Sequence, residues 1–163
     1  MQHSLTHGSF TLERRYEASP ARVFAAWSDP DQIRQWAAPA PDWTFAHLAF
    51  DFRVGGAEIS EFGPVGDVPY RVTARYDDIV PDTRIVSAYG IAQGDTRISS
   101  SIMCVELFAE GSSTVLRLTE HGAFFDGHDT AEVRKGGVLQ QLAQLQAFLA
   151  LKQQPRPGEK KAS

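Results

Sequence analysis

An α+β domain, with a strand-rich middle closed by one long helix, is the fold class that this 163-residue sequence predicts. Two proline-led helix starts follow an early strand, short β-rich runs separated by turn signals fill the middle, and the apolar period lengthens to helical spacing after Gly127. With 42% hydrophobic and 22% charged residues, such a chain can bury a continuous core without metals or disulfides. Residues 1–154 are therefore expected to form one domain, and 155–163, charged and containing Pro and Gly, a flexible tail.

The first strand is read at Ser9–Glu17, with Phe10, Leu12 and Tyr16 on one face and Arg14 as the exception. Ser19-Pro20 then supplies an N-cap and a proline at the first helical position, where its missing N–H costs nothing. Val23, Phe24 and Trp27 follow at helical spacing. Asp29-Pro30 repeats the signal ahead of Ile33 and Trp36, and Pro39 and Pro41 end that second short helix.

From Trp43 to Gly122 the β-rich runs alternate with Gly-Gly, Gly-Pro, Pro-Asp and Glu-Gly turn signals, the mark of an antiparallel meander. For its last hairpin, a loop at Ala109-Glu110-Gly111-Ser112 pairs Val105 with Leu116 and Met103 with Leu118. That register sets Ser101 opposite Glu120, a carboxylate at the end of an apolar stripe. Beyond Gly127, Asp129 is a candidate N-cap with Glu132 three residues on, and Val138, Leu142, Leu145 and Leu149 form one helical stripe. The helix should run about five or six turns and stop by Pro155.

Four stretches carry a resemblance. They are Ser19-Pro20-Ala21-Arg22-Val23-Phe24-Ala25-Ala26-Trp27-Ser28-Asp29-Pro30 with Trp36, Asp51-Phe52-Arg53-Val54-Gly55-Gly56, Thr114 to Gly122, and Leu142 with Leu145. In this order they resemble the START-like (SRPBCC) proteins, in particular the homologues of heat-shock protein 90 ATPase activators. The resemblance implies a helix-grip fold of the Bet v 1-like kind, with a curved antiparallel sheet wrapped around the C-terminal helix and two short helices after the first strand. Many relatives carry Gly-Trp where this chain has Gly137-Val138, so bulk is missing from the grip. Neighbours, water or a ligand must then fill the volume.

Glu120 could meet Ser101, Tyr70, Tyr89 or Gln141 between sheet and helix, or lie solvated at the rim; burial would raise its pKa and suit it to a polar ligand group or to acid-base work. His121 should point the other way by strand alternation. Gly136 and Gly137 each cost roughly 1 kcal/mol in a helix relative to alanine. Close approach of sheet or ligand would explain them, as would a kink or an irregular start. Arg53 and Glu58 flank Gly55-Gly56, either as part of an anion site or as an ion pair fixing the hairpin.

Several chemistries find no pattern. The histidines His3, His7, His47 and His128 show no two-ligand spacing, and with Cys104 alone no zinc motif arises, so neither metal nor cofactor is expected. There is no Gly-x-Ser-x-Gly elbow, phosphate loop or dinucleotide fingerprint. A net charge of -4 lacks the basic footprint of a nucleic-acid binder, charges or prolines interrupt every apolar run, and with one cysteine and no leader pattern a cytoplasmic location is expected. The leading expectation is a small apolar or amphipathic ligand held by Trp36, Trp43, Tyr70, Tyr89, Ser101, Met103, Leu118, Glu120, Phe124, Val138, Gln141 and Leu142. The resemblance also implies two alternatives: a chaperone partner whose ATPase the domain stimulates, or a polyketide cyclase or aromatase activity using Glu120 or a pocket tyrosine.

Overall fold

Pro20 and Pro30 each open a helix in the computed structural model, which describes residues 2–38 and 40–153. Ser19 caps the first helix by accepting the Arg22 N–H, and Asp29 caps the second by accepting the Asp31 N–H, so the two helices meet at a single residue. In chain order the elements are β1 (Leu5–Tyr16), α1 (Pro20–Ser28), α2 (Pro30–Trp36), β2 (Trp43–Phe50), β3 (Ala57–Pro64), β4 (Tyr70–Val80), β5 (Arg84–Gln93), β6 (Thr96–Glu110), β7 (Ser113–Phe125) and α3 (Ala131–Gln153).

The seven strands form one antiparallel sheet in the order β1-β7-β6-β5-β4-β3-β2. The meander runs outward from β7, and β1 closes against β7 on the other side. Such a sheet has one face for a core. Here α3 covers it, and Leu12, Tyr16, Val105, Leu116 and Leu118 meet Val138, Leu142, Leu145 and Leu149 as one cluster. Burying side chains of this size contributes roughly 1.5–3 kcal/mol each, which outweighs the cost of Gly136 and Gly137 within the helix.

Two polar ties and one close backbone approach fix the helix. The Tyr16 hydroxyl donates to the Leu142 carbonyl at 3.1 Å, and the Gln141 amide donates to the Ala37 carbonyl at 2.9 Å. Gly8 on β1 lies so close to the start of α3 that a Cβ there would fall 2.5 Å from the Ala131 Cβ. Glycine is what permits the contact.

Several expectations need correction. The first strand begins at Leu5 rather than Ser9, because its pairing with β7 continues to Leu5↔Phe125. The last hairpin turns on Gly111 and Ser112 alone, with Glu110 paired to Ser113 and Gly111 at φ +62°. A two-residue turn shifts the register by two positions, so Val105 pairs with Leu118, Met103 with Glu120 and Ser101 with Gly122. An even shift leaves every side chain on its expected face.

The cap of α3 is Thr130, whose hydroxyl accepts the Val133 N–H, while Asp129 binds the Thr130 N–H one residue earlier. Arg53 pairs with Asp51 instead of Glu58, since Glu58 faces inward and Arg53 lies in the β2–β3 loop. No backbone approaches Gly136 or Gly137, because a Cβ at either would meet nothing within 4 Å, and α3 is helical from Ala131 onward. The expected stop at Pro155 and the tail 155–163 lie outside the described residues.

Candidate functional site

The volume left between α3 and the sheet is a cavity of about 560 Å³. Its walls come from α1, α2, α3 and the inner faces of β2 to β7. Strand alternation sets Trp43, Phe45 and His47 on one face of β2, and a bulge at Leu48 lets Phe50 return to that face. On β3 the same alternation aligns Glu58, Ser60 and Phe62, and on β4 it aligns Tyr70, Val72, Ala74 and Tyr76.

One end of the cavity is aromatic. Trp43, Phe62 and Tyr70 lie nearly parallel, with ring centroids 5.4–6.2 Å apart. On α1 and α2, Trp27 and Trp36 meet edge to face at 4.9 Å, and the Trp36 indole donates to the Ala26 carbonyl at 2.9 Å. These rings present large, stiff apolar surface at low conformational cost.

Deeper in, two polar groups interrupt the apolar wall. In the first, Glu58 accepts the Tyr76 hydroxyl at 2.6 Å and contacts His47 Nε2 at 3.0 Å. His47 Nδ1 is buried with no acceptor among the described residues, so the network assigns the ring proton to Nε2, which donates to Glu58. Burial first, and then the Glu58 charge, drives the Tyr76 pKa far above the usual tyrosine value.

Arg134, on the first turns of α3, organises the second group. Its Nη1 donates to Tyr89 Oη at 2.8 Å and to Glu120 Oε2 at 3.1 Å. Its Nη2 donates to Ser99 Oγ at 2.7 Å and to Asp129 Oδ2 at 2.8 Å, and Nε donates to the same Asp129 oxygen at 3.1 Å. All five guanidinium N–H groups therefore have acceptors. The Tyr89 hydroxyl donates onward to Glu120 Oε1 at 2.5 Å. Burial, then Glu120, holds the Tyr89 hydroxyl neutral far above its ordinary range.

Glu120 is 1% exposed and the Arg134 side chain 9% exposed, so this is an ion pair in the core. The solvated-rim alternative for Glu120 fails because the residue is buried, with β7 running on beyond it to Phe125 and Phe124 closing over Arg134. Gly122 permits this, since a Cβ there would lie 2.8 Å from the Phe124 ring and 2.9 Å from Ser101 Oγ. The Phe124 ring in turn lies 5.4 Å from the Arg134 guanidinium carbon.

Of the residues expected from sequence, Trp36, Trp43, Tyr70, Tyr89, Met103, Leu118, Val138, Gln141 and Leu142 line the cavity. Glu120 and Phe124 lie behind its surface, supporting Tyr89 and Arg134. Ser101 also lies outside the lining, and its hydroxyl has no partner among the described residues. Of the four expected partners of Glu120, only Tyr89 reaches it; Tyr70 stacks with Trp43 and Phe62, and Gln141 binds Ala37.

Arg134 is a functional candidate that the sequence reading did not include, and Glu58, weighed there only beside Arg53, lines the cavity instead. A signal for Arg134 existed, because it lies one helical step before Val138 on the apolar stripe of α3. Among the described residues no cluster of His, Cys, Asp and Glu could hold a metal, and no helix is long and apolar enough to cross a membrane.

A curved antiparallel sheet gripping a C-terminal helix defines the START-like class of α+β proteins. Within it, residues 17–150 match the family described as Activator of Hsp90 ATPase homolog 1-like protein, and the chain belongs to that family. It is similar to the Mll3558 protein from Rhizobium loti, with 44% identity and a TM-score of 0.80 over 89% of this chain and 99% of that one. A Rhizobium leguminosarum protein solved at 1.9 Å is 36% identical, with a TM-score of 0.84 over 93% and 99% of the two chains. An AHSA1-like protein from Aeromonas hydrophila shares the fold at 20% identity, with a TM-score of 0.71 over 94% and 100%. No functionally curated protein matches the chain.

Proposed function

We propose that this protein binds a small amphipathic molecule in the cavity between α3 and the sheet. The observation that carries this reading is the cavity itself, about 560 Å³ within the range of small-molecule sites, with aromatic and aliphatic walls and a few convergent polar groups. Glu58 would orient the polar end of the ligand, and Trp36, Trp43, Phe62 and Tyr70 would hold its apolar body. Ser60, buried on β3 between Glu58 and Phe62, lies along the path between these ends.

The valine at 138 supports this reading. Val138 is buried and lines the cavity beside Gly137, where added side-chain volume meets open space. Val138→Trp should therefore occupy the cavity without displacing backbone. Binding of apolar probes, followed by tryptophan fluorescence or calorimetry, should fall by at least about tenfold in this variant, equivalent to about 1.4 kcal/mol. An unchanged Kd in a folded variant would place the probe elsewhere.

A further inference from the structure

The charges around the cavity do not balance. Of the described lining residues, Glu58 and Asp129 bring carboxylates, Arg134 brings the guanidinium, and His128, exposed at the surface, is the remaining basic side chain. Arg134 lies between Glu120 and Asp129, and its five donors are spent on Tyr89, Glu120, Ser99 and Asp129. One cation therefore serves two carboxylates and has no donor left for an incoming anion. The start of α3 is also engaged, because Thr130 accepts the Val133 and Arg134 N–H groups and Asp129 accepts that of Thr130.

At Glu58 the partners are a tyrosine hydroxyl and the His47 Nε2–H. Among the described residues no lysine or arginine pairs with the Glu58 carboxylate, which lines the cavity wall, where a charge without a close counter-ion is costly.

Strand register sets the surroundings of Glu58. Glu58 pairs with Ala74, and Ala74 pairs with Tyr89, so all three occupy one row across β3, β4 and β5. Two strand spacings put the outer backbones roughly 10 Å apart with only a methyl group between them. Along β3, Phe62 lies four residues from Glu58, about 13 Å at strand rise, and belongs to the stacked trio with Trp43 and Tyr70.

We infer that the cavity selects an organic cation, a flat apolar body carrying a protonated amine, with the ammonium against the Glu58 carboxylate on the side away from Arg134. This rests on the ligand-binding reading above and specifies the chemistry of that site. The carboxylate supplies the opposite charge, and the aromatic trio takes the ring. A carboxylate-headed amphiphile would instead face Glu58 with no free donor to offset the repulsion.

Three probes of matched shape separate the possibilities: 2-naphthylmethylamine, 2-naphthylmethanol and 2-naphthoate, titrated at neutral pH and followed by methyl NMR of the cavity-lining residues. The amine should bind at least about tenfold more tightly than the carboxylate and more tightly than the alcohol, the scale of one partly buried charge contact. Glu58→Gln should remove the advantage of the amine over the alcohol. Equal affinities, a preference for naphthoate, or an amine preference that survives Glu58→Gln would overturn the charge selection and leave the cavity reading standing. Failure of all three probes to shift cavity methyls would overturn both.

Discussion

Arg134 is the residue on which the interior most depends. Removing one partner of a buried ion pair leaves the other charge without compensation, and here two carboxylates, Glu120 and Asp129, share one guanidinium. Arg134→Met should therefore destabilise the fold by about 3–5 kcal/mol in urea denaturation. Tyr89→Phe removes one hydroxyl from the same network and should cost less, about 1–2 kcal/mol. If Arg134→Met melted like the parent, the cluster would not be a structural keystone. Parts of the cluster were visible in the sequence: Glu120 stood out as a carboxylate on an apolar stripe, and Tyr89 was among its expected partners. Arg134 was not paired with it, because the contact spans a loop and the helix start, and its geometry is set by how α3 docks on β7. The Glu58–Tyr76 bond is hidden for a similar reason, since it follows from the pairing of β3 with β4 rather than from local spacing.

At the scale of elements, α3 carries two glycines whose cost the packing does not require. A methyl at Gly136 or Gly137 would meet nothing within 4 Å, so Gly136→Ala and Gly137→Ala should each stabilise the protein by roughly 0.5–1 kcal/mol. Thermal or urea denaturation reads this directly, and a loss of stability would mean that the helix uses glycine's conformational freedom. Helix starts and the apolar stripe of α3 were legible because they depend on local rules: proline at the first helical position, a capping side chain, and recurrence on one face. Hairpin register was less so. Gly111 can form the turn with Ser112 alone or within a longer loop, and only the pairing of Glu110 with Ser113 decides between them. Faces survived that error because the shift was even, which is why Met103, Leu118 and Glu120 were still assigned inward.

For the whole molecule, burial of phenols gives a test of the assembled core. Tyr16, Tyr76 and Tyr89 all have pKa values raised by burial, with Glu58 adding to Tyr76 and Glu120 to Tyr89. A raised value in the folded state means that folding favours the neutral phenol. The associated stability is whole below the unfolded-chain value near 10 and is lost as pH rises above it. Phenolate absorbance should therefore lag behind that expected for four tyrosines in the native protein and then rise with alkaline unfolding. A smooth rise to four phenolates while the fold persists would contradict this core.

The reading of the molecule as a whole turns on whether the space between α3 and the sheet holds a ligand. Intermolecular NOEs from bound 2-naphthylmethanol test that directly, since the cavity-facing side chains Met103, Leu118, Val138 and Leu142 all carry methyl groups. Contacts from the naphthyl protons to these four residues are the predicted result. Contacts confined to the outer face of the sheet, at exposed residues such as Ile102 and Phe108, would contradict it.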